Sequence, residues 1–179
     1  MSGRAILITG VMAAGKSTVA LTLAEHLPKS VHLRGDIFRR MIVNGQAHLG
    51  FELTDEAREQ LRLRYKIAVR VAREYAGAGF TVVYQDIILG ETLSEVVGWF
   101  EETPVDVVVL CPDADEVSRR ERGRSKTGYA SADEIAAFDS VLRNETPRIG
   151  FWLDTTGLTP GETVDRIVSQ LRKPLFMEP

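Results

Sequence analysis

The sequence predicts a doubly covered α/β fold: an open parallel sheet of five strands with helices on both faces. Three observations carry that prediction. Short apolar runs such as RAILIT, FTVVYQD and VDVVVLC alternate with segments of helical spacing. That is the pattern of strands buried on both faces by crossover helices. No repeat or low-complexity tract interrupts the alternation. The polar residues of chemical interest fall just past the carboxyl ends of the runs, where such sheets bind ligands.

The first strand is read over 4–9 and a helix over 16–27, stopped by Pro28. A short strand at 30–34 leads into a helix over 36–45, ended near Asn44-Gly45. Thr54 is placed to cap a long helix whose Leu61, Tyr65, Ala68, Val69, Ala72 and Ala76 share one face. Strand 80–86, helix 93–102 and strand 105–111 follow. Helices around 113–123 and 131–144, strand 149–155 and a helix from Pro160 to about Arg172 complete the chain.

At 179 residues the chain suits one domain, 1–179, with a full hydrophobic core. A net charge of −3 gives no global electrostatic case for nucleic acid or an anionic membrane. The single cysteine, Cys111, lies among apolar residues and reads as a buried structural thiol. No apolar run reaches the length of a membrane span, and MSGRAILITG does not read as a signal peptide, so a cytoplasmic protein is expected. The three histidines are scattered without metal-ligand spacing.

The segment GVMAAGKS matches the phosphate-binding pattern G-x-x-x-x-G-K-[ST] between a predicted strand and a predicted helix. Gly10, Val11, Met12, Ala13, Ala14, Gly15, Lys16, Ser17 and Thr18 would wrap the phosphates of ATP with backbone N–H groups and the positive end of the helix dipole. Lys16 would reach the β- and γ-phosphates, and Ser17 would hold Mg²⁺. The Asn-Lys-x-Asp of GTPases and the Leu-Ser-Gly-Gly of transport ATPases are absent, and no apolar strand ends Asp-Glu. A small kinase remains, with an acceptor region at about 36–65 and an arginine-bearing lid at about 119–130.

In HLRGDIFRR, Asp36 lies just past the second strand, where a carboxylate can orient an acceptor hydroxyl and take its proton. Arg39 follows by one helical turn and is expected to face the same site. The alternative is an Asp36 that only caps its helix beside a solvated Arg39. In SRRERGRSKTGY, Arg119 and Arg122 share a helical face, with Arg124 beyond Gly123. Closing over ATP, they would neutralise charge during transfer; otherwise they form a solvated basic face. Asp86 closes the third strand and is read as a metal or acceptor ligand. Asp154 and the Thr155-Thr156-Gly157 turn lie near the expected adenine or serve only the turn.

AAGKS, RGD after the second strand, RRERGR and LDTTGLTPGETVDRI together resemble the chloramphenicol phosphotransferase-like P-loop kinases over most of the chain. The resemblance implies a three-layer P-loop kinase fold and O-phosphorylation of a small hydroxyl compound such as an antibiotic. It also implies Asp36 as the base and lid arginines within 119–124. GDIFR is similar to the Gly-Asp-x-x-Arg of adenylylsulfate kinases, with Arg34 where those carry Asp. An adenylylsulfate or gluconate kinase-like enzyme is therefore a second reading. A nucleotide-binding regulatory or toxin-like module acting on a macromolecule is a third.

Overall fold

Burial on both faces accounts for the apolar first strand: Ala5, Leu7 and Ile8 are 0% exposed. The structure is a computed structural model and describes residues 3–50, 52–123, 129 and 131–175. Its elements are β1 (Arg4–Thr9), α1 (Lys16–His26), β2 (Ser30–Arg34), α2 (Asp36–Arg40), α3 (Asp55–Gly77) and β3 (Thr81–Gln85). They continue with α4 (Thr92–Gly98), β4 (Val105–Leu110), α5 (Ala114–Arg122), α6 (Ala132–Ser140), β5 (Phe151–Leu153) and α7 (Pro160–Leu175).

The five strands are parallel in the order β2-β3-β1-β4-β5. The chain runs from β1 out to β2 and then back across the sheet through β3 to β4 and β5, so right-handed crossovers place α1 on one face and α3 and α4 on the other. Arg34 of β2 and Ile8 of β1 are both in register with Gln85 of β3. The next residues along, Gly35-Asp36, Asp86 and Thr9-Gly10, therefore leave the sheet at one edge. That edge is the crevice such topologies use for ligands.

The elements follow the predicted order; β2 keeps the expected bounds, α7 runs on to Leu175 past the expected Arg172, and several others are shorter. Helix α2 ends at Arg40 rather than near residue 45. Beyond it Met41 and Val43 are 70% and 89% exposed, so their apolar side chains give further turns little packing to hold them. Helix α4 stops at Gly98, short of the expected 102, and Glu101 takes a positive φ of 51°. Helix α6 stops at Ser140 and gives way to a π-helical turn, Val141–Glu145. Among the described residues the edge strand β5 has a partner on one side only, and it shrinks to Phe151–Leu153.

Helix α3 starts as expected, with the Ala57 amide donating to the Thr54 hydroxyl at 3.2 Å. Its buried face holds Tyr65, Ala68, Val69, Ala72 and Ala76, but Arg64 lies among them. Cys111 is buried at the end of β4. Among the described residues no helix is long and apolar enough to cross a membrane.

Candidate active site

The loop after β1 is shaped by its glycines and by contacts from both neighbouring strands. Gly10 adopts φ 143°, and a Cβ there would lie 2.4 Å from the Leu110 carbonyl oxygen of β4. Only glycine can pass that close in that conformation. The Thr9 hydroxyl donates to the Ile88 carbonyl at 2.8 Å and accepts from the Ile88 amide at 2.9 Å. This ties the loop's origin to the segment after β3. Lys16 folds back, its Nζ donating to the Val11 carbonyl at 2.7 Å. Ser17 is exposed at the first turn of α1 and lines the cleft above the loop.

A cleft of about 530 Å³ opens above this loop. Met12, Ala13, Gly15, Lys16, Ser17 and Thr18 form one part of its wall; Arg34, Asp36, Arg40, Arg64, Asp86 and Arg120 supply the charges elsewhere. The fold thus brings Asp36, Asp86, Lys16 and Ser17 to one cavity. Arg39 is not among its lining residues. Its guanidinium donates to the Ala47 carbonyl at 2.8 Å, within a loop that Gln60 pins through Ala47 N and Gly45 O. The expectation that Arg39 faces the site is corrected: Arg40, the next residue, does so and donates to Asp36 Oδ2.

Asp36 is held on one oxygen and free on the other. Arg34 Nη2 lies 3.2 Å from Oδ2, the atom Arg40 also uses. Asp36 Oδ1 is buried and has no hydrogen-bond partner. Gly35, just before it, packs against Asp86 so closely that a Cβ would sit 1.8 Å from Asp86 Oδ2.

Asp86 is 4% exposed and Arg64 8%. Arg64 Nη2 donates to Asp86 Oδ1 at 2.5 Å, the Ile87 amide donates to the same oxygen at 2.8 Å, and the Tyr84 hydroxyl reaches Oδ2 at 3.2 Å. Burial pushes the Asp86 carboxyl above its ordinary value, while Arg64, the Ile87 amide, Lys16 and Tyr84 pull it back. Burial works against the Arg64 charge too, but Asp86 and two tyrosines outweigh it and raise its pKa. Tyr84 and Tyr65 are driven up by burial and by the Asp86 charge.

The arginines of α5 divide differently from the sequence expectation. Arg119 is 67% exposed and doubly bonded to Glu116, at 2.8 and 2.7 Å. Arg122 is exposed, and Arg124 lies outside the described residues. Neither Arg119 nor Arg122 lines the main cleft. Arg120 turns inward instead, donating to the Ala14 carbonyl at 3.1 Å, the Thr155 carbonyl at 2.8 Å and Glu116 at 2.7 Å. It joins the phosphate loop to the turn after β5 and borders a second cavity of about 230 Å³, where Arg119 also reaches. Glu116, held by both arginines, is depressed to about 2. Tyr129 braces the loop as well, its hydroxyl donating to the Met12 carbonyl at 2.9 Å.

Asp154 accepts the Thr156 amide at 2.9 Å, and Thr156 accepts the Asp113 amide, so this part of the turn serves the chain's own geometry. Arg34, Arg40, Arg64, Arg120 and Tyr129 were not legible as site residues. Arg64 did leave a signal: a charge three residues after Leu61 and four before Ala68 interrupts the apolar stripe.

Sheet order, loop and cleft together define the P-loop kinase fold. The AAA domain family model matches residues 6–147, and the chain belongs to that family. Among solved structures it is similar to an unliganded sugar kinase from Janibacter sp. HTCC2649, at TM-score 0.70 and 21% identity over 95% of both chains. A tunicamycin resistance protein from Deinococcus radiodurans aligns at TM-score 0.70 and 19% identity, covering 94% of this chain and 95% of that one. The Mycobacterium tuberculosis APS kinase in complex with AMPPNP and APS aligns at 0.67 and 18% identity, over 96% and 98% of the two chains. No curated protein matches the sequence.

Proposed function

We propose that the protein transfers the γ-phosphate of ATP to a hydroxyl of a small molecule. The observation that carries this reading is the shared cleft: the phosphate loop and Asp36 line one cavity. The loop amides and Lys16 hold the phosphates once Lys16 Nζ leaves the Val11 carbonyl. The acceptor hydroxyl donates to Asp36, oriented in line with the γ-phosphorus. As the hydroxyl oxygen bonds to phosphorus, the bond to the β-phosphate oxygen breaks, ADP departs, and the proton passes to Asp36.

Ser17, exposed at the start of α1, and Asp86 line the cleft together and would hold Mg²⁺, which keeps several waters and few protein ligands. Bound there, the ion would neutralise charge on the β- and γ-phosphate oxygens. Arg120 steadies the loop beneath the nucleotide. Resemblance to the chloramphenicol phosphotransferase-like kinases and likeness to a tunicamycin resistance protein favour an antibiotic acceptor. Sugar kinase and APS kinase neighbours favour a metabolic one. The adenylylsulfate-type pattern loses support because Arg39 turns to Ala47.

The test is ADP release with and without acceptor in Asp36→Asn, which keeps the side chain's size and loses the proton acceptor. Transfer is expected to fall by roughly 10²–10⁴-fold, the range of general-base losses, with nucleotide affinity little changed. A wild-type rate would reduce Asp36 to a helix-capping residue.

A further inference from the structure

The acceptor part of the cleft carries more positive charge than its own carboxylates balance. Arg34, Arg40 and Arg64 line it together with Asp36 and Asp86. Arg64 and Asp86 form a matched pair, with side chains 9% and 3% exposed. Two guanidiniums then remain on one carboxylate, and both use the same oxygen, Asp36 Oδ2. Each guanidinium has five N–H donors, and Asp36 takes one from each. Neither arginine has another hydrogen-bond acceptor among the described residues, and Arg34 Nε is buried without a partner. Their side chains stay open to the cleft, at 43% and 60% exposure.

We propose that the acceptor is itself anionic: a small hydroxyl compound bearing a carboxylate, sulfate or phosphate group. Arg34 and Arg40 hold that group while the hydroxyl lies at Asp36. The inference rests on the phosphotransfer reading above. Guanidiniums present forked donors that match oxyanions, and two of them sharing one carboxylate leave a full charge to be neutralised. The nucleotide's phosphates have donors of their own in the loop amides and Lys16, so Arg34 and Arg40 are not needed to hold them. A neutral acceptor would engage Asp36 and leave both arginines short of a counter-charge.

The test has two arms. In the first, ADP release by the full chain is followed with glycerol against glycerate, glucose against gluconate, and ribose against ribose 5-phosphate. In the second, inorganic sulfate is titrated calorimetrically into protein saturated with a magnesium-bound, non-hydrolysable ATP analogue, so that the phosphate loop is already filled. The anionic member of a pair is expected to turn over faster. Arg34→Gln and Arg40→Gln should each raise its KM, and the sulfate Kd, by roughly 10- to 100-fold, the scale of one lost charged hydrogen bond, with the KM for ATP unchanged. A neutral member turning over as fast as its anionic partner overturns the anionic acceptor and leaves phosphotransfer standing. So does a sulfate affinity that neither variant alters. Sulfate binding lost in both variants of a protein that phosphorylates nothing supports the oxyanion subsite and counts against phosphotransfer.

Discussion

Replacing Arg64 with methionine removes the buried guanidinium that forms an ion pair with Asp86, and the structure sets the size of the loss. The pair is buried, with Arg64 Nη2 at 2.5 Å from Asp86 Oδ1, so solvent screens it little. Unit charges about 4 Å apart at an effective dielectric of about 20 attract by about 4 kcal/mol. Orphaning one member of a buried pair costs about 3–5 kcal/mol in general. Asp86 keeps the Ile87 amide, the Tyr84 hydroxyl and the field of Lys16, so about 3 kcal/mol is expected. The loss also depends on pH. Without Arg64, burial is less opposed, and the folded pKa of Asp86 rises further above its unfolded value of 3.8. A carboxyl raised in the folded state is destabilising when ionised, so the deficit grows as pH climbs through the raised pKa and shrinks below it. Urea unfolding at pH 5 and pH 8 measures this. Adding Asp86→Asn to Arg64→Met removes the orphaned charge and should recover part of the loss. A deficit below about 1 kcal/mol, equal at both pH values, would refute the buried-pair argument.

Gly35→Ala has a compatible backbone, φ −64°, but its Cβ would meet Asp86 Oδ2 at 1.8 Å. Overpacking of this kind costs about 1–3 kcal/mol, so melting should fall together with turnover, and unchanged values of both would show the turn to be pliant. Arg120→Ala should weaken nucleotide binding roughly tenfold or more, because it frees the Ala14 carbonyl from the turn after β5, whereas Arg119→Ala should do little. Equal effects in nucleotide titrations of the two variants would return the lid role to Arg119. Glu116 is depressed from an ordinary 4.5 to about 2 by Arg119 and Arg120. Its stabilising contribution is complete above about pH 4.5 and is lost as pH falls through about 2. The stability gap between wild type and Glu116→Gln should therefore narrow between pH 5 and pH 2.5; a constant gap in acid titration would contradict the pairing.

What could be read without coordinates was local. Strand-forming runs, the capping Thr54 and the GVMAAGKS loop depend on neighbours within a turn or two, where periodicity and spacing carry the information. The carboxyl-edge location of Asp36, Asp86 and Lys16 followed from the same alternation of strands and helices. Which of two adjacent arginines enters the cleft did not follow. Arg39 and Arg40, three and four residues on, both lie about one turn from Asp36, and the Ala47 carbonyl, set in place by Gln60, draws Arg39 away. Long-range partners were equally hidden. Arg64 finds Asp86 because α3 packs on β3, and Arg120 finds Ala14 across 106 residues because α5 leads away from β4, the strand beside β1. Elements are set by side-chain period along the chain, whereas charge partners are set by which strands become neighbours, and that is decided only when the sheet has closed on one order.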